Sequence, residues 1–205
     1  MLHPPLIREL DESHVVPAAA LLARAMADNP THGAVFGTAS APAPRHLQRL
    51  FRAVAGLVMA RGVMLGAWRE DALVGVLGMM RPGACRPGLR AWARLAATLG
   101  PISPPTLWRL ARWQRVWHRA HPRAPHWHMG PFAVACDHRG HVGRRLAAAA
   151  QRRLVDSPWP IYLETDTWRN VRLYRHLGFR IIGEGDVLGV PQWFMWQAPA
   201  ARGST

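Results

Sequence analysis

The residues best suited to chemistry lie in the run from Gly130 to Leu146, GPFAVACDHRGHVGRRL. Phe132 to Cys136 is short and apolar, and Asp137 to Gly143 is basic and punctuated by glycine. Leu146, Ala147, Ala150 and Leu154 then recur at helical spacing, so the run predicts strand, tight loop and helix in that order. Arg144 and Arg145 fall in the first helical turn, where positive charge opposes the helix dipole. A bound anion would remove the conflict. Free backbone N–H groups at a glycine-rich helix start, with two guanidinium groups beside them, suit a pyrophosphate. A surface turn with solvated arginines has the same pattern, and the stretch alone leaves both readings open.

His118, His121, His126, His128 and His138 raise the question of a metal. Their spacing matches no standard site and no acidic ligand neighbours them in sequence, so no metal is expected. Cys85 and Cys136 are the only cysteines, too few for a disulfide framework or a cysteine-rich zinc site. They point to a reducing cytoplasm and to packing roles.

The formal charge is +14 and all 26 basic residues other than histidine are arginines, which implies an anionic partner: a nucleotide cofactor, nucleic acid or a membrane surface. The N-terminus lacks a signal-peptide pattern, and apolar runs such as Ala72 to Met80 fall far short of the ~20 residues of a membrane helix. A soluble, cytoplasmic protein with no membrane partner is expected.

Several elements must position the central run. Leu6 to Leu10 reads as a strand, with Asp11-Glu-Ser opening a helix from about Val15 to Met26 that Asn29-Pro30 stops. Thr31 to Pro44 reads as an irregular loop. A helix over Arg45 to Ala60 carries an apolar stripe of Leu47, Leu50, Phe51, Val54, Leu57 and Val58. Val63 to Trp68 and Leu73 to Met80 form a hairpin. From Arg81 to Pro125 the character changes: nine arginines and no acidic residue lie between Asp71 and Asp137, and a basic helical insertion is expected. A short helix fits Leu89 to Leu99. Ser103 and Pro104 open a second, with Leu107, Leu110, Ala111 and Trp117 on one side and Arg112, Arg115 and Arg119 on the other. His126 and His128 alternate onto one face of the strand that enters the central run. Pro160 to Thr165 is a near-continuous apolar strand of the kind a parallel sheet buries. A helix capped by Asp166 or Thr167 covers Asn170 to Leu177, and Gly178 ends it. Phe179 to Ile182 and Trp193 to Trp196 are strands around a Gly/Asp/Pro loop, and the tail from residue 198 has nothing to pack. This is one α/β domain with a mixed sheet, spanning 1–205.

Taken together, these marks resemble the GNAT acyltransferase superfamily. They are the strand with Phe132, Ala133 and Val134, the basic glycine loop opening a helix, Tyr162 to Thr165 (YLET), Asn170, and Tyr174 to Phe179 (YRHLGF), which matches the family's Y-x-x-x-G-F pattern. One departure stands out. The family's loop usually reads Gln/Arg-x-x-Gly-x-Gly/Ala; anchored on Gly143, His138 takes the first position and His141 stands where glycine is expected. Anchored on Arg139, the loop is one residue short. A side chain at position 141 fits if that residue avoids positive φ.

The resemblance implies a mostly antiparallel mixed sheet, flanked by helices, with splayed central parallel strands, and acetyl-CoA as cosubstrate with no metal. Backbone groups of Phe132, Ala133 and Val134 would pair with the pantetheine arm, and amides of Arg139, Gly140, His141, Val142, Gly143 and Arg144 would hold the pyrophosphate. Asn170 would contact the cofactor arm, and Tyr174 would protonate the departing thiolate as general acid. The acceptor amine must lose a proton; Glu164 is the first candidate to take it, with capping or a salt bridge to an arginine as its structural role. His126 and His128 are the second candidate, although a packed, hydrogen-bonded role is expected of each.

The function expected is an N-acyltransferase moving an acetyl group to the primary amine of a small molecule or peptide by direct attack in a ternary complex. The alternatives are a nucleic-acid-binding protein using the Leu107 to Arg119 helix, and a GNAT-fold acyl-CoA sensor without catalysis. Arginines of the insertion lining the cleft would disfavour a cationic acceptor and favour a neutral or anionic amine. A homodimer is compatible with the sequence.

Overall fold

The computed structural model describes residues 4–36, 44–85, 97, 102–138 and 140–199. Arg139, all but Ala97 of the helix expected over Leu89 to Leu99, and the tail beyond residue 199 lie outside the described residues. The apolar runs form β1 (Leu6–Glu9), β2 (Gly62–Arg69), β3 (Ala72–Met80), β4 (Trp127–Val134), β5 (Ile161–Thr165), β6 (Arg180–Val187) and β7 (Val190–Gln197). They make one seven-stranded sheet in the order β1-β2-β3-β4-β5-β7-β6, antiparallel throughout except between β4 and β5.

The described helices are α1 (Val15–Ala25), α2 (Pro30–Phe36), α3 (Pro44–Arg61), α4 (Pro104–Ala120), α5 (His141–Arg153) and α6 (Trp168–His176). Strand alternation sends Val63, Leu65 and Ala67 to one face of the sheet, where they meet Val142, Leu146 and Ala150 of α5 and Val171 and Tyr174 of α6. Met64 and Val76 face the other way, onto α1 and onto the α3 stripe of Leu47, Leu50, Phe51 and Val58. Gly75 lets α5 lie close to β3: an added Cβ there would sit 2.8 Å from Leu146 Cδ1 and 3.1 Å from Val142 Cγ1. Leu163 on β5 has no exposed surface, and truncating it to alanine would cost about 2–5 kcal/mol.

Three expectations are corrected. Thr31 to Phe36 is helical rather than irregular, because Pro30 occupies the first turn of α2 and Asn29 Oδ1 accepts the His32 N–H at 3.0 Å. β6 and β7 run through the expected Gly/Asp/Pro loop and meet at the two-residue turn Leu188-Gly189, with φ of 57° and 85°. Positive φ at both positions is the turn whose twist matches a hairpin; leucine stands where asparagine would have announced it. On α4 the packed stripe is Leu110, Trp113, Val116 and Trp117, against Val35 and Val187, whereas Leu107 and Ala111 are exposed. Among the described residues no helix is long and apolar enough to cross a membrane.

Candidate active site

The site starts where the two parallel strands part. β4 and β5 pair only at Trp127 with Ile161 and His128 with Tyr162. β4 then continues beside β3, ending at Val134 opposite Gly75, and β5 continues beside β7, ending at Thr165 opposite Trp193. The edge of β4 that faces β5 is therefore open beyond His128. A bulge accompanies the parting: Leu77 pairs with Phe132 and Met79 with Met129, so Gly130 and Pro131 oppose Gly78 alone. Gly78 has to be glycine here, since a Cβ would lie 2.8 Å from the Gly130 carbonyl oxygen and 3.1 Å from Pro131 Cδ.

The N-terminus of α5 faces this open edge. A Cβ added to Gly143 would lie 3.6 Å from Phe132 Cζ and 3.7 Å from Val134 Cγ2. The first intrahelical bond is Arg144 N–H to the Gly140 carbonyl, at 3.1 Å, which leaves the N–H groups of His141, Val142 and Gly143 without helical partners. Among the described residues no side chain caps them, and the first turn contains no acidic residue. Gly140 carries the left-handed conformation, φ 90°, so His141 avoids positive φ and its side chain is accommodated at the surface. Arg144 and Arg145 are exposed beside it. These are the parts of an anion cradle.

On the opposite face from α5, Glu164 and His128 bridge the strands at the point where they separate. Glu164 Oε2 and His128 Nε2 lie 2.7 Å apart, with the carboxylate side chain 3% exposed. Burial alone would push the Glu164 carboxyl up, but the charge and hydrogen bond of His128 hold it below the usual range. His128 is raised for the reciprocal reason: its burial penalty is exceeded by the Glu164 charge and by hydrogen bonding to Cys85 and Glu164. The partner of Glu164 is thus histidine, rather than the arginine its structural role suggested. His121, His126 and His128 all pack their rings around Tyr162, at centroid distances of 5.2, 5.2 and 5.6 Å. The Tyr162 hydroxyl is buried with no hydrogen-bond partner among the described residues, and burial followed by the Glu164 charge moves its ionisation upward.

Tyr174 projects from α6 into the core on the α5 side, edge-on to Phe179 with ring centroids 5.8 Å apart. Burial, reinforced by the Asp166 charge, raises its pKa, so the phenol stays protonated. Asn170, half-buried, lies on the first turns of the same helix. The helix N-cap is Thr167, without a side-chain bond. Asp166 instead accepts from Thr31, through the hydroxyl at 2.7 Å and the backbone N–H at 3.2 Å. Gln192 donates to the Thr31 hydroxyl at 2.9 Å, and Trp117 Nε1 donates to Gln192 Oε1 at 3.1 Å. This chain of bonds ties α4, β7 and α2 to the end of β5. Thr31 and Gln192 carry no sequence signal: one fell in an expected loop, the other in an expected turn.

No protein-family model matches the sequence. Solved structures do match. Over 98% of this chain and 99% of the other, it is similar to a Corynebacterium glutamicum protein described as histone acetyltransferase HPA2 and related acetyltransferase, with 25% identity and a TM-score of 0.69. The chain has the GNAT fold. Arylalkylamine N-acetyltransferase 2 from Aedes aegypti shares this GNAT architecture at 13% identity and TM-score 0.65, over 96% of this chain and 99% of that one. So does an Escherichia coli GNAT family N-acetyltransferase in complex with CoA, at 14% identity and TM-score 0.53, over 95% of this chain and 81% of that one.

On this GNAT frame the expected site residues form two groups. Phe132 and Val134 meet the α5 start, with Tyr174 of α6 on that same face of the sheet, while Glu164 and His128 pair on the other face where the strands part. His118 is exposed on α4, outside the ring cluster around Tyr162. Arg112, Arg115 and Arg119 occupy the outer face of α4, opposite its packed stripe, so the described residues give no support to a cleft lined by them.

Proposed function

We propose that this protein is an N-acetyltransferase that moves an acetyl group from acetyl-CoA to a primary amine by direct attack in a ternary complex. The observation that carries this reading is the juxtaposition of the open β4 edge with the uncapped start of α5. The residues fit the cosubstrate. Backbone groups of Phe132, Ala133 and Val134 would pair with pantetheine amides, and the N–H groups of Gly140, His141, Val142 and Gly143, with Arg144, would hold the pyrophosphate. Asn170 would contact the arm.

Acetyl-CoA supplies an acyl carbon activated by its thiolate leaving group. Glu164 takes a proton from the attacking amine; the carbon–nitrogen bond forms as the carbon–sulfur bond breaks. Tyr174, held protonated, gives its proton to the leaving sulfur. The acid and base candidates come from opposite sheet faces, Tyr174 on the α5 side and Glu164 on the other. The acceptor is a small molecule or a peptide amine.

Titration calorimetry of nuclease-treated protein with acetyl-CoA tests the reading, together with Gly143→Asp. A Cβ at that position meets Phe132 and Val134 at ordinary contact distance and an acidic residue in the first helical turn suits the helix dipole, so the variant, checked for folding by circular dichroism, places a repelling charge in the cradle. Micromolar binding weakened about tenfold or more by the variant supports the site. No binding by the parent protein refutes it.

A further inference from the structure

Histidine spacing gives no metal site, but the tertiary structure adds a cysteine to the histidines. The Sγ of Cys85, a ring nitrogen of His121 and a ring nitrogen of His126 lie within 4.8 Å of one another. Tetrahedral zinc requires ligand atoms about 3.3–3.6 Å apart, so small side-chain adjustments would close the set. The decisive residue is His126. It is 4% exposed, and its Nδ1 lies 2.7 Å from the Ala124 carbonyl oxygen. A carbonyl only accepts, so Nδ1 carries the proton and donates it. In the neutral ring Nε2 then keeps a bare lone pair, and it is buried with no hydrogen-bond partner among the described residues. An imidazole with one nitrogen anchored to a carbonyl and the other unpartnered is the arrangement of a metal-ligating histidine.

A second group, His121, His128 and Glu164, also lies within 4.8 Å, but His128 Nε2 and Glu164 Oε2 already bond to each other. We propose that Cys85, His121 and His126 bind one Zn²⁺ ion, with His128 and Glu164 left as their own pair. One thiolate and two neutral imidazoles suit a borderline-soft cation and disfavour Mg²⁺ or Ca²⁺. Cys85 would bind as the thiolate, giving up its long hydrogen bond to the Arg81 carbonyl, with any proton still on sulfur released to solvent and no redox change.

The ligands come from the turn after β3, the C-cap of α4 and the residue before β4. They are the two ends of the basic insertion, so the ion would clamp that insertion to the sheet at its neck. Such a clamp operates independently of acetyl-CoA binding.

The test uses untagged, chelator-treated full-length protein with Zn²⁺ and Co²⁺ as probes. Competition against a chromophoric chelator is expected to give one equivalent of Zn²⁺. Co²⁺ is expected to give tetrahedral visible bands and a near-ultraviolet sulfur-to-cobalt charge-transfer band. Cys85→Ser should abolish that band and weaken Zn²⁺ at least tenfold, with His126→Gln weakening it similarly, while His128→Gln should retain one equivalent and the band. Circular dichroism confirms that each variant is folded, and a Zn²⁺-dependent rise in Tm, present in the parent and absent in Cys85→Ser, reads out the clamp. Less than stoichiometric binding by the parent overturns the proposal, as does a charge-transfer band that survives Cys85→Ser. Because the readouts are spectroscopic, they stand or fall apart from any acetyltransferase assay.

Discussion

His32 offers a prediction whose size can be worked from the structure. It sits on α2, 7% exposed, edge-on to Phe51 at 5.5 Å and Trp113 at 5.4 Å, with Nδ1 buried and without a partner among the described residues. Burial pulls its pKa from 6.5 down to about 4, against the opposing effects of the Asp166 charge and the Met26 carbonyl. Between these two values the unfolded chain binds a proton that the folded chain refuses, so stability rises with pH across the window and falls as pH drops through it. At about 1.4 kcal/mol per pKa unit, going from pH 7 to pH 4 should remove about 3 kcal/mol. Urea unfolding followed by tryptophan fluorescence, on the parent and on His32→Phe, isolates this contribution. The variant cannot titrate there and retains a ring for the edge contacts, while carboxylates elsewhere titrate in both proteins and largely cancel. The stability difference between variant and parent should shift by about 3 kcal/mol in favour of the variant between pH 7 and pH 4. A difference that stays constant with pH would refute the buried neutral histidine.

Other predictions concern the gap and its supports. Tyr174→Phe and Glu164→Gln should each lower kcat by about 100-fold or more with acetyl-CoA affinity changed by less than about twofold; equal turnover in either variant removes that residue from the mechanism. Gly78→Ala should cost about 1–3 kcal/mol in chemical denaturation, because its Cβ would strike the Gly130 carbonyl at 2.8 Å. An unchanged unfolding midpoint would show that the bulge yields. Thr31→Val removes the hydroxyl that bridges Asp166 and Gln192, and should destabilise by about 1–3 kcal/mol through the polar groups left without it. Thermal unfolding of this variant matching the parent would mean the bridge is not shared across the elements it joins.

Much of the fold was legible because it depends on local periodicity. The α3 stripe, the β2–β3 hairpin and the strand–loop–helix from Phe132 onward all announce themselves within a few residues, as did the order of motifs that resembles the GNAT superfamily. Where the reading failed, a residue performed an unusual local task. Leu188 adopts positive φ and hides a hairpin turn, and Asn29 with Pro30 begins a new helix as well as ending an old one.

Composition and spacing by themselves determined a mixed α/β chain with a basic glycine turn leading into a helix. Where that turn sits was decided only by the tertiary structure. Gly75 lets α5 approach β3, and β4 parts from β5 after one pair of registered residues on each strand beyond Trp127 and Ile161. The same is true of side chains far apart in sequence. Glu164 met His128 because parallel strands align positions that no short-range pattern relates, and Cys85 joined His121 and His126 because the turn after β3 lies beside the end of α4 that leads back into β4. Local physics is written in neighbouring residues, whereas a site built from several elements exists only once the chain has closed on itself.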